Sequence, residues 1–480
     1  MKAVYVDSGI VEKEAKKRFC FPENIMMENA AAALEVQVLL KKPDSVLILC
    51  GTGNNGGDGY ALTRRIFGKV NSVEVLAFGE PKTEEAKTQE KMCRLAGLKI
   101  WQFDDFEKIR NNDFSVIGDC IFGTGVHGEM PENVSSVIKW TNGRECYRLA
   151  CDIPSGLKFL ASKTVTMGAL KSILFKDKAK DCCGEIVTAD LGISQQVFES
   201  CGTPDAFLVE ESDIKLPKRE KKSSHKGDFG HVAVILGEKP GAGIIAGTAA
   251  LKFGAGLVTV VVSSDFNGNY LMNPELMTDA KMPGKTSSVL LGSGLGRDKE
   301  SQEKSEKVIE YICKMEKPAA VLDADFFYSE KLCDFLTRLN DIPGGRFILT
   351  PHPKELYEIL VRTGFFSSPE GSEISFSDFC ENRLEYGKKF AEKYPNLVLV
   401  SKGANTYIYS GGNIFICSNG TNALSKAGSG DVLAGMCAAL LAQGYEALEA
   451  AKTSVFWHGK AGSKFENNWE CSPLALINFL

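Results

Sequence analysis

No stretch of the 480 residues approaches the run of about 18 apolar side chains that a membrane-spanning helix needs. The opening MKAVYVDSGIVEKEAKK has neither the apolar core nor the small-residue cleavage site of a secretory signal. A cytoplasmic location with no membrane partner is therefore expected. Histidine is scarce, with five in the chain, none spaced to join cysteines around zinc, and no Cys-x-x-Cys pair occurs, so a His/Cys metal centre is not expected. An excess of basic residues is missing too. The formal net charge is −5, and the one basic cluster, Lys218-Arg-Glu-Lys-Lys222, is short and follows Pro217. It reads as a solvated linker, and no nucleic-acid partner is expected, because such binding neutralises phosphates with clustered Lys and Arg. The fifteen cysteines are scattered, some within apolar runs as Cys50 and Cys417 are, which marks them as reduced core thiols.

What is present is ordinary in bulk, with 44% hydrophobic and 24% charged residues, in a chain longer than one core usually organises. Two α/β domains are expected, 1–212 and 213–480, divided in the polar stretch between 210 and 228. In the first, short β-branched runs (Val46 to Cys50, Val73 to Phe78, Val116 to Phe122, Tyr147 to Ile153, Val165 to Met167, Ile186 to Ala189) alternate with helical stretches, the pattern of a doubly wound, mostly parallel sheet. The second repeats the alternation with different motifs, in runs starting at His231, Leu257, Ser288, Ala320, Phe347 and Leu397. It then shows period-2 patterning on both sides of Gly411-Gly412, the mark of an antiparallel hairpin.

Three loops at the expected carboxyl ends of the first sheet carry chemistry. GTGNNGGDGY (51–60) fits a dinucleotide turn, in which glycines let backbone amides approach a pyrophosphate at a helix N-terminus. That turn has no need of Asn54-Asn55, nor of Asp58, whose charge near phosphates costs Coulomb energy unless a cation or donors offset it. The plain alternative is that Asp58 caps a helix starting at Tyr60. Asp119 precedes the glycine turn Phe122-Gly-Thr-Gly125, and Asp152 and Ser155 follow the run ending in Cys151. Ligands bind where such ends meet, and converging Asn, Asp and Ser oxygens suit a hard cation beside a nucleotide.

These stretches, together with MENAA at 27–31 and DIPSGL at 152–157, resemble the NAD(P)H-hydrate epimerase family across nearly the whole first half. The resemblance implies that Asn54, Asn55, Gly56, Gly57, Asp58, Gly123, Thr124, Gly125, Val126, His127, Gly128 and Glu129 line the hydrated nicotinamide nucleotide. It further implies that Asn55, Asp119 and Ser155 hold potassium, and that Asp152 is catalytic. Lys171 is offered as an acid/base partner; the plain alternative is a surface lysine at a strand end. The segment after Leu157 is shorter than the family pattern.

In the second half, Asn422-Ala-Leu-Ser-Lys-Ala-Gly-Ser-Gly-Asp431 joins a glycine-spaced anion nest to an acid opening an apolar helix, the parts needed to stabilise a transferring phosphoryl group and accept a hydroxyl proton. An N-cap role for Asp431 is the plain alternative. With Lys402-Gly-Ala-Asn-Thr406, His352 between two prolines, Gly292-Ser-Gly-Leu-Gly296 and Asp323-Ala-Asp325, it resembles the ADP- or ATP-dependent NAD(P)H-hydrate dehydratase family of ribokinase-like fold, over about 213–480. That likeness gives Lys402, Gly403, Ala404, Asn405, Thr406 and Gly430 to the adenine nucleotide, Ala242, Gly294 and His352 to the substrate, and makes Asp431 the general base. Magnesium is implied with the nucleotide. Ser293 and the segment Glu238 to Ala242 depart from the family pattern. The two halves together imply repair of NADHX and NADPHX with ADP (or ATP) as co-substrate, by a homo-oligomer. A ribokinase-like small-molecule kinase with an accessory nucleotide-binding domain is the alternative.

Overall fold

The computed structural model describes residues 1–125, 128–263, 273–366 and 374–480. The chain divides into two compact units, Ala3–Ala206 and Phe207–Leu480, with Met1–Lys2 belonging to the second.

In the first unit the strands are β1 (Ser45–Cys50), β2 (Ser72–Ala77), β3 (Lys99–Gln102), β4 (Val116–Cys120), β5 (Tyr147–Cys151), β6 (Lys163–Met167) and β7 (Glu185–Ala189). They form one sheet in the order β3-β2-β1-β4-β5-β6-β7, with every pairing parallel. The order reverses between β1 and β4, so the loops after those two strands diverge and leave a crevice at the carboxyl ends. Alternation along each strand builds a core on both faces. Val46, Ile48 and Cys50 meet helices α2 (Glu23–Leu39) and α3 (Asn54–Ile66) through Met27, Leu34 and Leu62, whereas Leu47 and Leu49 meet Ile109, Val137 and Ile138 on the opposite side. Helix α1 (Ser8–Phe19) precedes them, capped by Asp7. The expected strands are all present. Sequence reading passed over β3 and the short parallel pair Lys2–Tyr5 with Leu170–Lys171, which carry too little apolar pattern to announce themselves.

In the second unit the strands are β8 (His231–Ile235), β9 (Leu257–Val261), β10 (Met277–Asp279), β11 (Ser288–Leu291), β12 (Ala319–Leu322), β13 (Arg346–Leu349), β14 (Leu397–Ser401), β15 (Thr406–Ser410) and β16 (Asn413–Cys417). They run β10-β9-β8-β11-β12-β13-β14-β15-β16, parallel as far as β14 and antiparallel from there. The hairpin closes between Ser410 and Asn413 through Gly411 and Gly412, both at positive φ (54° and 85°), the geometry of a two-residue turn that matches strand twist. Helices α4 (Pro240–Lys252), α5 (Pro353–Arg362), α6 (Ser429–Ala442) and α7 (Ala447–Gly462) complete what positions the site, with α4 and α6 contributing Ala246, Ala249, Val432 and Met436 to the largest core.

Candidate functional site

In the first unit a cavity of about 460 Å³ opens at the carboxyl ends of the strands. Its lining includes Asn54, Asn55, Asp58, Gly123, Thr124, Gly125, Asp152 and Lys171, from four separate loops and helices. Helix α3 begins at Asn54, six residues before Tyr60, so Asp58 is its fifth residue and caps nothing; the capping alternative is overturned. A run with this much glycine has weak helix propensity, and tight packing overrides it. A Cβ on Gly51 would fall 1.9 Å from the Ile121 carbonyl oxygen, and one on Gly56 would fall 1.9 Å from the Gly51 carbonyl oxygen. Gly56 and Gly57 are thus packing positions and are not among the lining residues, nor are Gly128 and Glu129, which are exposed. Val126 and His127 lie outside the described residues.

Asp119 and Ser155 meet directly. The Ser155 amide and hydroxyl both donate to the Asp119 carboxyl at 2.7 Å, the Ile121 amide adds a third bond at 3.2 Å, and the Phe122 amide donates to Ser155 Oγ at 3.1 Å. Burial pushes the Asp119 carboxyl up to about 6, against the lowering pull of those donors. Asn55 lies across Gly123 from Asp152: a Cβ on Gly123 would be 3.8 Å from Asn55 Cβ and 3.1 Å from Asp152 Oδ2. Among the described residues its Nδ2 is buried without a hydrogen-bond partner.

Asp152 adopts φ 68°, a left-handed conformation that costs a non-glycine residue free energy and aims its side chain at the cavity. Lys171 Nζ lies 2.6 Å from Asp152 Oδ1 and also donates to Thr166 Oγ1 and the Met167 carbonyl, both at 2.9 Å. At 3% exposure Lys171 is a buried partner of Asp152, which overturns the surface-lysine alternative. Behind them stands Asp58, close to Asp152. Burial first, and the Asp152 charge second, raise its carboxyl well above the ordinary range.

In the second unit α6 starts from Gly428 at φ 91°, with no side-chain cap, so Asp431 is the third residue of the helix rather than its cap. Lys402 reaches the same place from the end of β14. Its Nζ is 3.1 Å from Asp323 Oδ1 and would be 3.2 Å from a Cβ on Gly430. Burial works to lower the Lys402 ammonium, but Asp323 and Glu355 carry it above its ordinary value. Asp431 is pushed up to about 6 by burial and by Asp323, with the Ser293 hydroxyl and Lys402 pulling it back down; Ser293 Oγ itself donates to Asp323 Oδ2 at 3.5 Å. Thr350 Oγ1 donates to Asp323 at 2.8 Å.

Gly294 and Ala242 come together, since a Cβ on Gly294 would be 3.0 Å from Ala242 Cβ. His352 caps α5 by accepting from the Glu355 amide at 3.2 Å, while Glu355 Oε2 accepts from the His352 amide at 2.8 Å. Burial, then the nearby Lys402, lowers its imidazole, and burial lifts Glu355 to about 7. Gly403 and Ala404 are exposed, and Thr406 opens β15.

Asn405 is buried, its carbonyl accepting from Arg383 Nη2 at 2.8 Å. Arg383 is the residue sequence reading missed. It is 2% exposed, donates to the Ser401 and Lys402 carbonyls at 2.9 Å, and lies over the Tyr407 ring, so it fixes the whole 401–405 turn. An arginine opening a helix about twenty residues upstream gives no sequence signal of that role.

Two α/β units, each with an acid and a lysine drawn together at a glycine-started helix, define a fused pair of nucleotide-handling enzymes. A family model described as YjeF-related protein N-terminus matches residues 23–195, and one described as NAD(P)H-hydrate dehydratase matches residues 232–477. The chain is 37% identical, over 99% of its length and 99% of the relative's, to the bifunctional NAD(P)H-hydrate repair enzyme of Helicobacter pylori. It is 30% identical, over 95% of its length and 91% of the relative's, to that of Moorella thermoacetica. It belongs to the bifunctional NAD(P)H-hydrate repair enzyme family. Among solved structures it is similar to the ADP/ATP-dependent NAD(P)H-hydrate dehydratase from Bacillus subtilis, at 23% identity and a TM-score of 0.46, covering 57% of this chain and 95% of that one.

Proposed function

We propose that the chain repairs hydrated NADH and NADPH, with residues 1–212 interconverting the R and S epimers and 213–480 dehydrating the S epimer. The observation that carries the first step is the Lys171–Asp152 pair, 2.6 Å apart at the wall of the cavity and beside Asn55 and Gly123. Inversion at the hydroxyl-bearing carbon needs a fixed charge and a proton near one oxygen; Asp152 faces that centre and Lys171 anchors it. Asn54, Asn55 and Asp58 from one side, and Gly123 to Gly125 from the other, hold the nucleotide.

Asn55, Asp119 and Ser155 would hold potassium, although Asn55 lines the cavity while Asp119 and Ser155, bonded to each other, are not among its lining residues. Turning the Asn55 amide would aim an oxygen where the unpartnered nitrogen stands, and Asp119 is a buried carboxyl whose charged form a cation would favour. When bound, potassium would offset the negative charge of the dinucleotide phosphates.

In the second unit Lys402 to Thr406 and Gly430 hold ADP or ATP, and Ala242, Gly294 and His352 hold the hydrate. Asp431 takes the proton of the added hydroxyl as its oxygen attacks the terminal phosphate. Loss of that phosphate with a proton from the adjacent carbon then restores the dihydropyridine. A carboxyl raised to about 6 is suited to this, being ionised near neutral pH yet more basic than an ordinary aspartate. Magnesium bound with the nucleotide would offset the charge of its phosphates and make them better donors.

Incubating the protein with mixed NADHX epimers and ADP or ATP, and following dihydropyridine absorbance, tests both halves. Full recovery is expected. Conversion that stops when one epimer is spent would remove the first activity, and a stable phosphorylated product would replace the second with a kinase.

A further inference from the structure

The first cavity contains a second carboxyl that neither the potassium site nor the Lys171–Asp152 pair uses. Asp58 projects from the interior of α3, is 9% exposed and lines the cavity together with Asp152. Its one side-chain hydrogen bond among the described residues comes from a thiol: Cys151 Sγ donates to Asp58 Oδ2 at 3.7 Å. Cys151 ends β5, one step beyond the Asp119–Ala150 pair, and so stands beside Cys120, which is paired in turn with Cys50 on β1. Three weakly polar, buried thiols therefore lie near Asp58, beneath the residues that line the cavity. The Asp152 charge, from the loop after β5, acts on Asp58 most; Glu12 from α1 and Glu23 from α2 add less, and both are paired with Lys16, at 2.6 and 3.2 Å. The nearby ammonium, that of Lys171, is committed to Asp152, Thr166 Oγ1 and the carbonyls of Met167 and Ala169, which leaves it no proton to aim at a ligand.

Two carboxyls in one cavity with opposite surroundings divide the roles of acid and base. Asp152 has a cation and the Met167 amide; Asp58 has a thiol and like charges. We propose that Asp58 is the catalytic acid of the first site, the group that carries the proton to and from the substrate hydroxyl while Asp152 faces the charge that develops on the ring. This rests on the epimerase reading. Asp58 gives its proton to the hydroxyl oxygen as the C–O bond breaks, and the electron pair of that bond leaves with water. The lone pair of the adjacent ring nitrogen completes a C=N bond, whose positive charge Asp152 faces. Water then adds to the opposite face and returns a proton to the Asp58 carboxylate, so nothing is consumed. Burial of Asp58, with the Asp152 charge beside it, favours the protonated form.

The full-length protein, without ADP or ATP so that the second unit is silent, is given one purified NADHX epimer in ¹⁸O-water. The wild type is expected to mix the epimers and to place ¹⁸O in the hydroxyl at the same rate. Asp58→Asn, which copies the protonated carboxyl in shape, should lower kcat for both by ~100-fold or more with KM within a few-fold, and Asp58→Glu should recover part of the rate. Cys151→Ala removes a donor to the carboxylate, so the alkaline limb of the pH–rate profile should move to higher pH. An Asp58→Asn protein that mixes the epimers at the wild-type rate, or that loses only KM, overturns the proposal while leaving the epimerase reading intact. A wild-type chain that leaves the epimers unmixed overturns both.

Discussion

Helices α3 and α6 start alike and end up with opposite chemistry. Each follows a glycine N-cap with no capping side chain, and each carries an aspartate within its first five residues. The positive end of a helix favours an anion most in its first turn and little beyond it. Asp431, the third residue of α6, stands there and has Lys402 nearby, which partly offsets burial and leaves its carboxyl at about 6. Asp58 is two residues deeper in α3, and burial and the Asp152 charge raise its carboxyl well above the ordinary range. Each has a carboxylate beside it, Asp323 for Asp431 and Asp152 for Asp58; two residues of depth and the opposing Lys402 ammonium set the two apart.

The sharpest way to break this comparison is Asp431→Asn. It should lower kcat for nucleotide-dependent dehydration by roughly 10²–10⁴-fold and leave epimer mixing, measured without nucleotide, unchanged. In the wild type the same dehydration should fall as pH drops through about 6, because protonated Asp431 cannot take the hydroxyl proton. A dehydration rate flat from pH 5 to 8 would assign the proton transfer to another group.

Much of this was legible in advance because the motifs sit where strands end. Strand runs such as Leu47 to Cys50 are apolar on both faces, and the acids that follow them could be assigned to one crevice by topology alone. Three things were not legible. The start of α3 was hidden because glycine's low helix propensity argues against a helix that packing imposes. The burial of Lys171 depends on the short Leu170–Lys171 strand pairing with Lys2–Tyr5, a contact across most of the unit's length. Arg383 acts on backbone carbonyls, which every residue has, so no pattern of side chains betrays its target.

The next test concerns the glycines that hold α3 in place. Gly56→Ala puts a Cβ 1.9 Å from the Gly51 carbonyl oxygen, backbone against backbone, and neither can yield cheaply. It should cost the first unit roughly 3 kcal/mol or more, read as a lower first midpoint in thermal unfolding with the second unit's transition unmoved. A smaller effect is expected in the second unit from Glu355→Gln. The folded Glu355 carboxyl is raised from 4.5 to about 7, so the stability it contributes is fully present below about 4.5 and lost as pH rises through about 7. Glutamine keeps the capping geometry without the charge. The variant should gain on the order of 2 kcal/mol over the wild type at pH 8, and little or nothing at pH 4, in denaturant titrations at the two pH values.

Gly53→Ala should have the smallest effect, and it separates the two jobs the glycine-rich turn performs. Gly53 is in an extended conformation open to any residue (φ −96°, ψ −164°), and a Cβ there meets no atom within 4 Å. The fold has no steric need of glycine at this position, and alanine as an N-cap should cost less than about 1 kcal/mol. The space it would enter is the cavity itself, because Gly53 is one of the lining residues. If the amides at the start of α3 receive the dinucleotide phosphates, a methyl group there holds the ligand off by a fraction of an ångström. KM for epimer mixing should then rise a few-fold with kcat nearly unchanged. A loss of stability as large as that of Gly56→Ala would mean that the turn is all packing, and an unchanged KM would mean that the phosphates lie elsewhere.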